Sequence, residues 1–216
     1  MYRDVDLKEI SDGRLYRTND MVKADCHDCQ DCDACCHGMG QSILIDPYDM
    51  YQLERGLMVS AGTLLSQELA LGLEGGLILP HIKMQESSDA CAFLRDGRCG
   101  VHDFRPGICR LFPLGRYYDD GELRYILQTK ECLKTNRTKI KVEKWLGIPD
   151  IRRYEKFTLD WHYHILDLQE KIYNAAGDEE VKNLNLDCLN RYFATDYDIN
   201  QDFYPQFYER FFENTQ

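Results

Sequence analysis

Apolar residues in the last third of the chain recur at steps of three and four, which is the period of one face of an α-helix. The longest run predicts a helix whose apolar face carries Tyr154, Phe157, Trp161, Ile165, Leu168 and Ile172. A second helix is predicted over 179–193, and aromatic pairs that repeat every four residues predict a third over 203–212. We therefore expect a helical segment from residue 141 to the end of the chain.

Shorter elements are predicted before residue 141. An apolar run over 42–45 predicts a strand, and Asp46 followed by Pro47 is typical of a helix start, here for a helix that runs toward residue 57. A further helix is predicted over 61–71. The stretch 77–84 is apolar and extended, and its proline confines it to a sheet edge or breaks it.

Turn residues predict two hairpins and a short helix in the same part of the chain. Asp-Gly pairs at 96–97 and 120–121 separate apolar runs, as two-residue hairpin turns do. Pro106 can open a short helix that carries Cys109. Small strands followed by packed helices indicate an α+β fold, with one domain over 1–140 and a helical extension over 141–216 packed on it.

Charge and hydropathy exclude two classes of function. Lys and Arg number 26 against 37 Asp and Glu, a formal net charge of −11. A general nucleic-acid binder needs a cationic surface to displace counterions, so we expect no nucleic-acid partner. No stretch approaches the roughly 20 apolar residues of a membrane span. The first ten residues lack the apolar core and cleavage site of a signal peptide, so we expect a cytoplasmic protein.

Cysteine is the residue type that needs a chemical explanation, because the chain has 10. The two clusters of candidate metal ligands are Cys26, Cys29, Cys32, Cys35 and Cys36 in the first segment, and Cys91, Cys99, Cys109 and Cys132 in the second. In a reducing compartment, clustered cysteines are typical of metal ligands or redox groups, and disulfides are the alternative. Adjacent side chains in an extended loop point apart, so Cys35 and Cys36 are expected to serve different metals, unless one of them is spare.

The second cysteine segment is expected to meet the first. The predicted hairpin places Cys91 and Cys99 at its two ends, so that they can lie side by side across the ladder. Cys109 follows on the short helix, and Cys132 returns after the second hairpin. Two segments of the chain can thus bring eight or nine thiolates together.

Two motifs resemble those of the YkgJ-type cysteine-cluster proteins. The first, which resembles the family signature CxxCxxCC, is Cys29-x2-Cys32-x2-Cys35-Cys36. The second contains Cys91-Ala-Phe-Leu94, then Gly97-Arg-Cys99-Gly-Val-His102, then Arg105-Pro-Gly-Ile-Cys109-Arg-Leu-Phe-Pro113. Cys132 matches a further family cysteine, whereas Cys26 lies outside the eight-cysteine core. The resemblance covers about residues 26–132 and implies a zinc- or iron-chelating domain.

Spacing and ligand softness favour one kind of metal centre but leave the identity of the metal open. Three cysteines at three-residue steps resemble the first ligands of a bacterial ferredoxin, which favours an iron–sulfur centre of the 4Fe–4S type. Zinc is the alternative, since eight thiolates could hold two four-cysteine sites of either kind. Arg105 and Arg110 flank Cys109 and are predicted to bind the cofactor sulfurs or an anionic substrate, unless they are surface or ion-pair residues. His37 and His102 are either ligands or hydrogen-bond partners of ligands.

Three functions are compatible with these residues. The first is a metal-binding protein that holds one or two iron–sulfur or zinc centres. The second, implied only by a relative of the same family (the flagellin lysine methylase), is an iron–sulfur-dependent protein methyltransferase-like enzyme with a protein substrate. The third is a structural zinc module with a protein partner, contacted through the aromatic residues of the helical tail. A cleft beside Arg105 and Arg110 would favour an enzyme, and a closed four-cysteine shell would favour the structural module.

Overall fold

The strands of the described chain form antiparallel pairs. The computed structural model describes residues 7–27, 29 and 32–212. The pairs are β1 (Met21–Asp25) with β8 (Thr138–Lys141), β2 (Leu69–Glu74) with β3 (Leu77–Ile82), β4 (Leu94–Arg95) with β5 (Arg98–Cys99), and β6 (Leu114–Asp119) with β7 (Glu122–Leu127). The β1–β8 pair brings together the two ends of the cysteine-rich part of the chain.

Two-residue turns set the register of three hairpins. Asp96-Gly97, Asp120-Gly121 and Gly75-Gly76 all have positive φ angles at both positions, as a type I′ turn requires. The two Asp-Gly hairpins are therefore confirmed. The helix predicted over 61–71 is wrong beyond Gln67, because the Gly75-Gly76 turn folds 69–74 back as a strand that pairs over its full length with 77–82.

The predicted helices are present in their predicted order, and α1 and α5 are additional. They are α1 (Leu7–Ile10), α2 (Pro47–Leu57), α3 (Ala61–Gln67), α4 (Gly107–Leu111), α5 (Val142–Leu146), α6 (Ile151–Tyr173), α7 (Asp178–Leu189) and α8 (Phe203–Phe212). Short 3-10 helices lie at Ala34–Cys36 and His102–Phe104, and a π-helical turn over Asn190–Ala194 extends α7. The strand predicted over 42–45 is only an isolated bridge, Leu44 to His81, although it adds backbone hydrogen bonds to β3.

Helix α2 begins as its sequence predicts. The Asp46 carboxylate accepts a hydrogen bond from the Asp49 amide at 2.9 Å, and the Asp49 carboxylate accepts one from the Asp46 amide at 3.2 Å. This reciprocal pair is a capping box, and Pro47 occupies the first helical position, where its missing N–H costs nothing. The helix ends at Leu57, before Met58 in the left-handed conformation.

The aromatic residues of the helical tail form much of the core. Phe157 of α6 is fully buried, and its ring centroid lies 5.1 Å from that of Phe203 and 4.8 Å from that of Phe207, both edge to face. Tyr48 of α2 packs on Phe203 at 5.1 Å, so the cysteine-rich part and the helical tail meet in this core. The fold is α+β, as predicted. Within the described residues, none of the helices combines the length and apolar character that a membrane crossing needs.

Candidate metal centre

The first cysteine segment turns tightly after β1. Cys26 is 4% exposed, and its Sγ lies 3.3 Å from the Sγ of Cys29. His27 and Cys29 have φ angles of 57° and 53°, in the left-handed region that non-glycine residues rarely adopt. The Cys32 amide then donates to the Cys29 carbonyl at 3.1 Å. The turn brings two sulfurs three residues apart to one point, as the two-residue gap predicts.

Backbone hydrogen bonds join the second segment to the first. The Cys91 amide donates to the Cys36 carbonyl at 2.7 Å, and the Gly38 amide donates to the Asp89 carbonyl at 3.0 Å. Cys36 and Cys91 are thus neighbours in space, although they are far apart along the chain. Hydrogen bonds between backbone groups therefore bring the two cysteine segments together.

Amide groups donate to the sulfurs of the second segment. The Phe93 amide lies 3.4 Å from the Sγ of Cys91, and the Leu94 amide also favours the ionised form of that thiol. The Val101 amide has the same relation to Cys99. Both cysteines therefore have a donor two residues further along the chain. Hydrogen bonds to a thiolate stabilise its negative charge, as metal-bound cysteines need.

The β4–β5 hairpin corrects one prediction. Cys99 lies opposite Leu94, not opposite Cys91, because the two-residue turn sets Arg95 against Arg98 and the ladder ends one pair later. Cys91 lies before β4 and forms a bridge with Met84 instead. Burial raises the pKa of both thiols above the usual value for cysteine, and the negative charge of Cys99 raises that of Cys91 further.

Cys109 lies on α4, the short helix predicted to begin after Pro106. Burial raises the pKa of its thiol well above the usual value, and the negative charges of Cys91, Cys35 and Cys99 raise it further. A buried thiol among other thiols is costly to ionise unless a cation is present. The surroundings of Cys109 therefore fit a metal ligand.

In each of two thiol pairs in the first segment, a hydrogen bond favours the ionised form of one thiol and the protonated form of the other. A hydrogen bond with Cys29 lowers the pKa of Cys26 to about 6, against the opposing effect of burial. A hydrogen bond with Cys36 similarly lowers the pKa of Cys35 to about 7. The pKa of each partner, Cys29 and Cys36, is raised by the same bond. Each pair thus holds one thiolate near neutral pH, and a bound cation would favour a second.

Arg105 supplies positive charge to both segments. Its guanidinium group lowers the pKa values of Cys26, Cys35 and Cys99. One of its terminal nitrogens, Nη1, lies 2.5 Å from Nε2 of His102, which can accept a hydrogen bond from it. Its Nε is buried without a hydrogen-bond partner in the described chain. An orphaned donor beside thiols fits an anionic metal–thiolate group.

Arg110 has a different environment. Its Nη2 donates to the Asp103 carbonyl at 2.7 Å, and its Nη1 donates to the Leu146 carbonyl at 3.3 Å. These bonds tie α4 to the 3-10 helix before it and to α5. Burial lowers the pKa of the guanidinium group below its usual value. These contacts indicate that Arg110 stabilises the backbone around the site.

Four other candidate residues are less closely joined to this group. Cys32 and Cys132 are half-buried, and Cys32 is joined to Cys29 through its backbone amide. His37 is exposed, with Nε2 3.3 Å from a carboxylate oxygen of Asp33. His102 interacts with Arg105, which matches the hydrogen-bonding alternative for this ring. In the described part of the chain, no three Cys, His or carboxylate side chains already have the arrangement of a finished metal site.

The ten cysteines are free thiols. Even the close Cys26–Cys29 pair is well beyond the S–S bond length of about 2.05 Å. Sequence analysis did not find the amide donors to Cys91 and Cys99 or the His102–Arg105 contact. Every residue except proline has a backbone amide, so a sequence does not show which amides will donate to a sulfur. The His102–Arg105 contact depends on a 3-10 helix that no pattern of apolar residues predicts.

An α+β fold with two converging cysteine segments defines a thiolate-rich metal-binding protein. The family model CxxCxxCC, described as "Putative zinc- or iron-chelating domain", matches residues 28–142, which is just over half of the chain. The chain belongs to this family, as its motifs predict, and the match supports chelation of zinc or iron by the clustered cysteines. No curated protein and no solved structure matches the chain. The similarity to flagellin lysine methylase stays a prediction.

Proposed function

We propose that the chain binds two metal ions in separate four-thiolate sites, and that these ions fasten its two cysteine segments together. Each site holds a single ion, with zinc the favoured metal. The sites stabilise loops that have few apolar contacts of their own. Free thiols are needed for this role, so the protein acts in a reducing compartment such as the cytoplasm.

The distance between Cys26 and Cys29 carries the proposal of single-ion sites. Their sulfurs are 3.3 Å apart. A tetrahedral ion with metal–sulfur bonds of about 2.3 Å holds its sulfurs about 3.8 Å apart, which needs only a small adjustment. In a 4Fe–4S cluster each thiolate binds a different iron and the sulfurs point away from one another, so a closer pair is disfavoured.

The two proposed sites are not separate electrostatic groups, since Cys35 acts on Cys36, Cys99 and Cys109 as well as on Cys29. We assign Cys26, Cys29 and Cys35, which act on one another, to the first site together with Cys32, whose amide donates to the Cys29 carbonyl. The second site consists of Cys36, Cys91, Cys99 and Cys109, which are linked in the same way. This division assigns the adjacent residues Cys35 and Cys36 to different ions. Both lie in the 3-10 helix and a hydrogen bond links their side chains, contrary to the expectation that they point apart, so this bond would break when the ions bind.

Charge supports zinc and gives Arg105 its role. Eight thiolates exceed the charge of two divalent ions by four, so a nearby cation stabilises the loaded state. Arg105 is that cation, and its orphaned Nε is free to donate to a thiolate sulfur. Zinc binds such sites more tightly than ferrous iron does. When bound, zinc supplies a redox-inert cross-link between the two segments.

Metal analysis of the whole chain tests the proposal. We would purify the protein anaerobically, quantify zinc, iron and acid-labile sulfide, and record its absorption spectrum. The expected result is two zinc ions per chain without stoichiometric sulfide. Iron with matching sulfide and visible absorption would replace single ions by a cluster. A chain that binds no metal at all would overturn the function.

Cysteine variants test the division of the ligands. Cys29→Ser and Cys109→Ser should each lower the metal content from two ions to one. Cys188→Ala is the matched control, because Cys188 is buried in α7, where the charges of Asp187 and Arg191, and not those of other cysteines, act on its thiol. Cys132→Ser should also keep both ions. Loss of an ion from Cys132→Ser would show that the division is wrong.

A further inference from the structure

A buried carboxylate outside the cysteine motifs contacts the start of the helix that carries Cys109. We infer that Asp49 is a positioning residue for the second metal site, and this inference rests on the proposed function. Asp49 is 3% exposed and lies in the first turn of α2. Its Oδ1 accepts a hydrogen bond from the Gly107 amide at 2.7 Å.

This contact satisfies a donor that α4 cannot satisfy itself. The first amides of a helix have no partner within the helix, and Pro106, which precedes α4, offers no side-chain acceptor. Asp49 thus caps α4 from another helix. The segment Arg105-Pro-Gly-Ile-Cys109 contains both the cation and a ligand of the proposed centre. Fixing its middle residue therefore fixes the directions of both.

The packing around Gly107 makes the position well defined. A Cβ added at Gly107 would lie 2.7 Å from Tyr154 Oη, 2.8 Å from Arg116 Nη2 and 3.5 Å from Asp49 Oδ1. Arg116 donates to Tyr154 Oη above this point. The Asp49 carboxylate and the Arg116–Tyr154 pair therefore all lie close to the chain at Gly107. Such support keeps a ligand oriented before the ion binds.

Two variants of similar shape isolate the accepting atom. Asp49→Leu fills the same space without an acceptor. Asp49→Asn keeps a carbonyl oxygen for the Gly107 amide and loses only the second acceptor, which serves the Asp46 amide in the α2 capping box. Asp46→Asn is the matched control, because it removes the neighbouring buried carboxylate, which caps α2 by accepting from the Asp49 amide. Each protein is loaded with Co²⁺, whose absorption reports the number of thiolates, and then with Zn²⁺ to measure release to a chelating dye.

The expected result is specific to the acceptor. Asp49→Leu should release one of its two zinc ions about 10- to 100-fold faster, with weaker thiolate-to-cobalt absorption. Asp49→Asn and Asp46→Asn should resemble the parent. Parental spectra and release rates in Asp49→Leu would overturn the inference, while metal binding by the parent would still uphold the proposed function.

A measurement on the parent protects the test against a variant that does not fold. The Gly107 amide should exchange slowly with solvent deuterium in the zinc-loaded chain, because Asp49 holds it in a buried hydrogen bond. Exchange as fast as that of an exposed loop amide would refute the contact, whatever the variants do.

Discussion

Replacing Gly107 by alanine should disturb the cysteine centre without touching a cysteine. The added Cβ would lie 2.7 and 2.8 Å from two polar atoms, whereas ordinary contacts begin at 3.4 Å, so the chain or its neighbours must move by about 0.6 Å. Those neighbours are buried and hydrogen-bonded to each other. Overpacking of this kind costs about 1–3 kcal/mol, and we expect Gly107→Ala to lose that much free energy of unfolding.

Urea unfolding of the zinc-loaded protein and zinc release to a chelating dye measure the two consequences. Gly62→Ala is the matched control, because Gly62 lies within α3 and its nearest atom to an added Cβ is 3.9 Å away. Alanine should raise stability there by up to about 1 kcal/mol, since glycine is a poor helix former. Gly107→Ala should also release zinc faster than the parent. If it proves as stable as Gly62→Ala and keeps the parental release rate, the reasoning about α4 is refuted.

Three other substitutions test separate features of the fold and site. Burial raises the pKa of Glu54 to about 7, so the folded state keeps a proton that the unfolded state loses above about pH 4.5, and stability falls as pH rises through this window. The free energy of unfolding of Glu54→Gln relative to that of the parent should therefore rise by about 2–3 kcal/mol from pH 5 to pH 8, measured by urea unfolding. A difference that does not change with pH would contradict burial of the carboxyl group as its cause. Arg105→Gln should weaken zinc binding about tenfold or more in a chelator competition, whereas Arg110→Gln should mainly lower stability; equal effects on affinity would argue against a special role for Arg105. Gly56→Ala should cost about 1–3 kcal/mol, because its Cβ would lie 2.3 Å from the Phe104 ring, and unchanged urea unfolding would show that this ring moves aside.

Local patterns were sufficient for the elements that local forces decide. The Asp-Gly turns, the Asp46-Pro47 helix start and the apolar face of α6 were all predictable, because each depends on residues within a few positions. The β2 strand was not predictable in the same way. Its residues also suit a helix, and only pairing with β3 across the Gly75-Gly76 turn decides between the two.

The candidate site shows the same limit more strongly. The spacing of the cysteines singled out the thiols and Arg105 as candidates, because the type of a residue determines whether its side chain can bind a metal or pair with a thiolate. Their partners depend on contacts between distant segments, such as the Cys91 amide with the Cys36 carbonyl. Cys99 lies opposite Leu94 because the β4–β5 pairing ends at that position, and no pattern of apolar residues predicts where the pairing ends. Nothing in the sequence indicated a role for Asp49 beyond the capping of a helix.

Two kinds of force hold different parts of this chain. The helices share an aromatic core in which Phe157, Phe203 and Phe207 are buried together, so apolar burial stabilises them without help. The cysteine segments have only short elements, the 3-10 turns, the two-residue strands and α4, and such elements bury little surface. Their convergence brings thiols together in surroundings that keep them protonated in the metal-free chain. A cation would favour the ionised thiols, so under the proposed function metal binding would add to these segments a stability that their short elements do not supply.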